Sequence, residues 1–358
     1  MMLHYILWNA DPEIFELFGR GVRWYGLLFA GSFYLAALML RRILLKKDMK
    51  DEQISKLIIF LIVGCLVGLR LGHCLFYEPG YYLSNPVEIL KIWKGGLASH
   101  GAAIGILIAL YLFIRKTNFS YLWLLDRIVI VVLFIAPFIR TGNLMNSEII
   151  GDKTNMSHAF IFVEGIDDEL VRKNGKYIDK TTINQIGKDT VVDNIHYSKL
   201  NLEVYFNKNI PKNRIGDFLH QLFIQQIEND SDLKQNIKLF IDKPSIEIIE
   251  QGGKYKATMT LYGIPRHPSQ VYEALAYLSF FLIFIIYYIR QKGMIREGFL
   301  FGMFLILVFG FRFFVEFLKE VQVSFESTML LNMGQLLSIP LVIVGILIVV
   351  RSRNKAPN

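Results

Sequence analysis

Long apolar blocks separated by short polar loops dominate this chain of 358 residues. Seven blocks are long enough to cross a bilayer, which takes about 20 apolar residues in a helix. They lie near Val22–Leu40, Ile54–Tyr77, Leu97–Ile114, Leu122–Phe138, Ser269–Tyr288, Gly298–Leu318 and Gly334–Val350. Between the fourth and fifth, Asp152–Pro265 has a different pattern. Leu202, Val204 and Phe206 alternate as in a half-buried strand, whereas Phe218, Leu219, Leu222, Phe223 and Ile227 follow helical spacing. Ile246–Ile249 and Tyr255–Leu261 flank Gly252-Gly253, a hairpin signature. The pattern predicts an all-α polytopic membrane protein of about seven transmembrane helices, with a small α+β extracytoplasmic domain inserted between spans four and five. It divides the chain into 1–151, 152–265 and 266–358, the last carrying spans five to seven and a cytoplasmic tail.

Composition agrees with that class. Hydrophobic residues make up 53% and the mean hydropathy is +0.38, too high for an ordinary soluble chain of this length. Orientation follows from loop cations. Arg41, Arg42, Lys46, Lys47 and Lys50 follow the first block, and Arg115 and Lys116 the third. Arg290, Lys292 and Arg296 follow the fifth, and Arg351, Arg353 and Lys355 the seventh. With alternating spans these groups share one side, expected to be cytoplasmic, so the N-terminus and Asp152–Pro265 are expected outside. The N-terminus has no basic region and cleavage site of the signal-peptide kind. Cys65 and Cys74 share one block and give neither a disulfide framework nor a metal spacing. The net charge of +8 is not clustered among stacking aromatics, which argues against nucleic acid. His158, His196 and His220 are scattered, and Asp152–Pro265 is read as structural or partner-binding. Tyr81, Tyr82 and Trp93 are expected as interfacial anchors.

Polar residues gather at the outward ends of the blocks. Arg23 and Tyr25 open the first, Arg70 and His73 sit late in the second, and His100 opens the third. Arg140, Asn143 and Asn146 follow the fourth at spacings that put them near one helix face, with Glu148 beyond. Arg266, His267, Gln270, Tyr272 and Glu273 open the fifth; Arg312 and Glu316 lie i, i+4 in the sixth; Gln335 starts the seventh. Charges at membrane depth are expensive and mark function. The set is read as holding more cations than nearby carboxylates neutralise. An anionic lipid headgroup at the outer leaflet would supply the balance, and arginine forks suit phosphate.

These residues fall in motifs that run in order along the membrane part: Arg23-Trp24-Tyr25-Gly26, Gly68-Leu69-Arg70-Leu71-Gly72, Asn85-Pro86, Trp93-Lys94-Gly95-Gly96 and Ser99-His100-Gly101. Next come Arg140-Thr141-Gly142-Asn143-Leu144-Met145-Asn146-Ser147-Glu148-Ile149-Ile150-Gly151 and Arg266-His267-Pro268-Ser269-Gln270-Val271-Tyr272-Glu273. Phe311-Arg312-Phe313-Phe314-Val315-Glu316-Phe317 and Met333-Gly334-Gln335-Leu336-Leu337-Ser338 complete the set. The chain resembles the bacterial prolipoprotein diacylglyceryl transferases. It departs from them at Ile139, where the family has glycine, at Leu144, where it has an aromatic, and at Val308, where several members carry a functional tyrosine. Asp152–Pro265 is also larger than in compact members.

The resemblance implies transfer of the diacylglyceryl group of phosphatidylglycerol to the lipobox cysteine thiol of prolipoproteins in the bacterial cytoplasmic membrane. It implies His100, Arg140, Arg312 and Tyr25 as catalytic residues. Arg140, Asn143, Asn146, Glu148, Gly151, Arg266, Gln270, Tyr272 and Glu316 would bind substrate. No cofactor or metal is required. A transporter or flippase for an anionic lipid or solute would also want buried arginines, but should carry polar residues through both halves of the bilayer. Here the inner halves of the blocks are almost wholly apolar. A retinal-type receptor needs a lysine in the seventh span, which has none, and an anchored scaffold leaves the polar cluster unexplained.

Overall fold

The computed structural model describes all residues except 1–4, 18, 48, 92–95, 97, 165, 167–169, 172–173, 188, 209, 220–222, 230, 241–245, 321–328 and 353–358. Trp93, Gly95, Leu97, His220, Leu222, most of the loop Lys319–Thr328, Arg353 and Lys355 therefore lie outside or partly outside the described residues. The chain opens with three strands, β1 (Ile6–Trp8), β2 (Glu13–Leu17) and β3 (Arg20–Arg23). Helices α1 (Trp24–Leu45), α2 (Asp51–Phe76), α3 (Pro79–Ser84), α4 (Ser99–Ile114) and α5 (Tyr121–Met145) follow. The middle stretch holds β4 (Phe160–Phe162), β5 (Ile178–Gln185), β6 (Thr190–Val192), β7 (Ile195–Phe206), α6 (Lys212–Phe218), α7 (Ile224–Asn229), α8 (Ser231–Asn236), β8 (Ile237–Lys238), β9 (Ile246–Gln251) and β10 (Lys254–Gly263). Helices α9 (Ser269–Arg290), α10 (Phe299–Val315) and α11 (Met333–Ser352) end it. Among the described residues six helices are long and apolar enough to cross a membrane, and α4, with 16 residues, is a shorter apolar helix. The chain is a polytopic membrane protein.

Two compact units divide the residues. The first takes 1–28, 139–275 and 314–333, and the second takes 29–138, 276–313 and 334–358.

The second unit is helical. Helices α2 and α4 meet along a glycine seam: a Cβ on Gly68 would lie 2.3 Å from the Gly101 carbonyl oxygen, and one on Gly105 only 2.0 Å from that of Gly64. Lipid tails are as apolar as leucine, so helices in a bilayer gain most by letting backbones approach, and small residues permit it. Leu44, Ile54, Leu57, Leu110 and Leu124 pack a core from which solvent is excluded. Two buried charges stand beside it, and the sequence reading passed over both inside an apolar block. Asp126 accepts the backbone N–H groups of Gly298 at 2.7 Å and Phe301 at 2.8 Å, so it caps the start of α10. Arg127 lies 3.7 Å over the Trp123 ring and donates to the carbonyls of Trp123 and Gly293.

In the first unit the expected strand and hairpin form. Strand β7 is central, with β5 and β6 antiparallel to it, and β10 pairs with β7, β8 and β9. Leu200, Leu202, Val204 and Phe206 on its inner face are fully buried, because alternate residues of a strand face one side. Ile215, Phe218, Leu219, Phe223 and Ile227 share their core, with Ile215 and Phe218 on α6 and Ile227 on α7. Gln251 pairs with Lys254 across Gly252 and Gly253, both at positive φ, a two-residue turn that only such residues make without strain. The sequence pattern predicts no strand before the first span. In the structure β1 pairs in parallel with β4, and β2 with β3 in an antiparallel hairpin. Runs of three to five residues are too short for periodicity to register.

Candidate active site

Helix α5 runs past its apolar part to Met145, so Arg140 and Asn143 sit on its last turns and Asn146 just beyond. The chain then makes a left-handed excursion, with Ser147 at φ 50° and Ile149 at φ 57°. For a β-branched residue this is costly, about 1–3 kcal/mol for each such position, and persists only where neighbours over-determine it. They do. Trp8 Nε1 donates to the Leu144 carbonyl at 3.0 Å, the Glu148 N–H to the Asn143 carbonyl at 2.9 Å, and Ser147 Oγ to Glu164. Gln270 Nε2 donates to the Glu148 carbonyl at 2.6 Å and Ser269 Oγ to the Ile149 carbonyl at 2.7 Å. Gly151 donates its N–H to the His267 carbonyl at 2.9 Å. A Cβ there would stand 2.4 Å from that carbonyl oxygen, so no side chain fits.

A chain of polar side chains grows from this loop. Glu148 accepts from Asn143 Nδ2 at 3.1 Å and Asn146 Nδ2 at 3.2 Å. Arg140 Nη1 lies 3.5 Å from Asn143 Oδ1 and its Nε 3.0 Å from Glu273 Oε2, an ion pair rather than a well-aimed hydrogen bond. Lys319, only 5% exposed, donates to Glu273 at 3.1 Å and to Glu316 at 3.3 Å, and Asn332 Nδ2 reaches the other Glu316 oxygen. Tyr25 lays its ring on Gly142, where a Cβ would meet it at 2.7 Å.

Within the ion pairs of this network, cations and carboxylates are matched. Arg140 pairs with Glu273, and Lys319 with Glu273 and Glu316, while Glu148 accepts from the two carboxamides. The carboxylates come from three separate elements, so their convergence is invisible along the chain. Lys319 is a residue the sequence reading missed, although its i, i+3 spacing to Glu316 on a helical turn was a usable signal.

Arg266 is also placed differently from expectation. It is 1% exposed, and its Nε and both Nη atoms donate to the Gln235 carbonyl, the Gly151 carbonyl and both oxygens of Glu320. Those five hydrogen bonds match the five N–H donors of a guanidinium, which leaves none for a phosphate. Its backbone pairs in both directions with Phe160. Arg266 thus frames the site. Tyr272 has its hydroxyl 3.1 Å from His158 Nε2 and 3.3 Å from His267 Nδ1. Burial holds the His267 imidazole below its ordinary range, His158 adds to the effect, and Asp152 opposes it.

The remaining sequence-derived residues stand in the second unit. His100 occupies the first turn of α4, edge-on to Phe76 with ring centroids 4.9 Å apart. Its Nε2 is shielded and finds no hydrogen-bond partner among the described residues. Arg312 lies in the last turn of α10. Gln335 is buried, with Nε2 3.4 Å from the Phe313 carbonyl. Arg70 has a structural task, donating to the carbonyls of Ile89 and Glu88 at 2.9 and 2.6 Å and lying over the Tyr82 ring. Gly96 packs against His73. In the first unit, Arg23 makes an exposed pair with Glu13 at 3.6 Å.

Chemically, the cluster offers a guanidinium oriented by a buried carboxylate, carboxamides fixed by a second carboxylate, and a backbone too rigid to relax around them. Such an arrangement can hold an anion by geometry and stabilise charge that develops on it. Comparison with known proteins agrees in kind. The family model described as prolipoprotein diacylglyceryl transferase matches residues 12–351. Proteins named phosphatidylglycerol–prolipoprotein diacylglyceryl transferase are similar along nearly their whole length. The one from Tolumonas auensis is 33% identical, covering 97% of this chain and 97% of its own. The one from Bacteroides fragilis is 35% identical over 95% of this chain and 93% of its own, and that from Chloroherpeton thalassium 31% identical over 98% and 96%. A match this long, over a loop whose geometry is already explained by its own motif, shows that the chain belongs to the prolipoprotein diacylglyceryl transferase family.

Proposed function

We propose that this protein is a transferase that moves the diacylglyceryl group of phosphatidylglycerol to the lipobox cysteine of a prolipoprotein signal peptide. The membership of the family and the names of the relatives support the reaction. The observation that carries the site is Arg140, its guanidinium set by buried Glu273 at the end of a helix long and apolar enough to span. The cysteine sulfur attacks the glyceryl carbon bonded to the phosphate oxygen. A C–S bond forms, the C–O bond breaks, and glycerol phosphate leaves with the electron pair. The thiol proton passes to a base.

Arg140 and Arg312 are assigned to the phosphate, where charge develops on the leaving oxygen. Asn143, Asn146, Glu148 and Gly151 shape the pocket, and Gln270 holds the Glu148 backbone. Tyr25, Tyr272 and Glu316 complete the substrate contacts, and Arg266 supports them from behind. His100 is assigned as base, a reading supported by the unpartnered, shielded Nε2. A free thiol titrates near about 8.5, so a proton acceptor helps near neutrality.

Helix α4 is the seventh span, at about 1.5 Å per residue some 24 Å long and locked to α2 by glycine. The N-terminus and the domain 152–265 lie outside the cytoplasmic membrane and the C-terminus inside, as the loop cations require. Domains 1–151 and 266–358 form the membrane part.

Reconstitution with phosphatidylglycerol and a lipobox peptide tests the reaction. Mass spectrometry should find the peptide heavier by one diacylglyceryl group, with a cysteine-to-serine peptide unmodified; an unmodified cysteine peptide rejects the reading. His100→Gln should lower turnover about 100-fold with phosphatidylglycerol KM retained. Near-normal turnover removes His100 as base.

A further inference from the structure

The stretch 152–265 shares its packing with other parts of the chain. It forms one compact unit with the site loop, the N-terminal strands and 314–333. Several of the ties on the left-handed loop come from it or through it. Ser147, at φ 50°, is held through its hydroxyl by Glu164, two residues after β4. The Gly151 carbonyl is held by Arg266, which is held in turn by the Gln235 carbonyl at 2.6 Å. The Leu144 carbonyl is held by Trp8, whose strand pairs with β4 and whose ring stacks on Phe160 at 5.5 Å.

We propose that the stretch 152–265 is a brace for the catalytic loop, with Glu164 a positioning residue that keeps Ser147 left-handed and so aims Glu148 at Asn143 and Asn146. The inference rests on the transferase reading and gives this large stretch a task in that reaction. Glu164 touches no reacting atom. It acts on backbone geometry, because an L-residue leaves the left-handed region unless something holds it there. Glycine occupies that region freely.

That difference supplies the test. Glu164→Ala, Ser147→Gly and the double variant are assayed in reconstituted vesicles with phosphatidylglycerol and a lipobox peptide, and amide exchange is followed by mass spectrometry. E164A should lower turnover about tenfold, the equivalent of one aligned hydrogen bond, with KM for phosphatidylglycerol within about twofold. Exchange at Ser147–Gly151 should quicken while Leu200–Phe206 stays protected. In the double variant glycine replaces the need for the brace, so turnover should return to within about threefold of S147G alone. Wild-type turnover in E164A, a double variant as slow as E164A, or lost protection across Leu200–Phe206 would each overturn the proposal. If the unaltered protein transferred nothing, the transferase reading would fall, and the exchange measurements would still decide the brace.

Discussion

Glycine does opposite work in the α2–α4 seam and at the Arg140–Gly151 loop. In the seam, Gly68, Gly101 and Gly105 remove side chains so that two apolar helices touch backbone to backbone. At the loop, Gly151 removes a side chain so that the backbone can hydrogen-bond to His267 while Arg266 grips its carbonyl. The seam is held by packing, because lipid gives helices no hydrophobic reason to associate. The loop is held by directed polar bonds, each with one partner and one direction. Packing tolerates small shifts in an angle; a polar constellation does not. The same residue type therefore serves stability in one unit and alignment in the other.

The largest way to break that contrast is in the seam. Gly101→Leu should prevent α2 and α4 from closing and leave little folded protein, seen as lost monodispersity and rapid proteolysis in detergent. Gly151→Ala should instead give folded protein with transfer down about 100-fold, because overpacking costs about 1–3 kcal/mol and displaces the loop. If both variants lost folding alike, the distinction between the two glycines would disappear.

Arg140→Lys sharpens the loop side. Charge is kept but the planar fork is lost. The expected kcat/KM is lower by about 100-fold with the melting midpoint nearly unchanged, measured on the same preparation. Full activity would remove Arg140 from the phosphate.

Acid reaches the loop through its neighbours. His267 has a folded value below the usual imidazole figure of about 6.5, so the unfolded chain takes up a proton first. Its contribution to stability is complete above that figure and is lost as pH falls through the folded value. Thermal midpoints recorded between about pH 7 and 5 should drop. His158→Gln removes one of the causes of the depressed value, so the drop should shrink. An unaltered slope would show that the Tyr272 bridge does not couple the two imidazoles.

The smallest effect is expected far from the loop, on the sheet. Lys256 and then Tyr205 hold the Glu203 carboxyl below the usual carboxylate range by hydrogen bonding to it. That contribution is present above about pH 4.3 and fades as pH falls through the folded value. Glu203→Gln should lower the midpoint by about 1–3 °C at pH 7 and flatten the acid limb, with transfer unaffected.

The elements that periodicity expresses locally were readable from the chain. Leu202, Val204 and Phe206 announce β7, Gly252-Gly253 announces the β9–β10 hairpin, and the block boundaries fall within about five residues of α1, α2, α9 and α10, whereas α5 runs on from Phe138 to Met145. The motif residues Arg140, Asn143, Asn146 and Glu148 were readable as a group because one helix end carries them. Strand β1 was not, since its partner is β4, far along the chain. Nor was the identity of Arg266, because nothing near it in sequence reveals that Glu320, Gln235 and Gly151 take all its donors.

By itself the sequence determined the membrane class, the family and the place where polar chemistry collects. These depend on local apolar length and on residue spacing, which solvent and helix geometry translate directly. Only the tertiary structure decided which carboxylate answers which cation, that Lys319 joins Glu273 to Glu316, and that Ser147 and Ile149 are held in a left-handed turn. Those outcomes depend on elements distant in the chain meeting at bond length, where a difference of one ångström changes the partner.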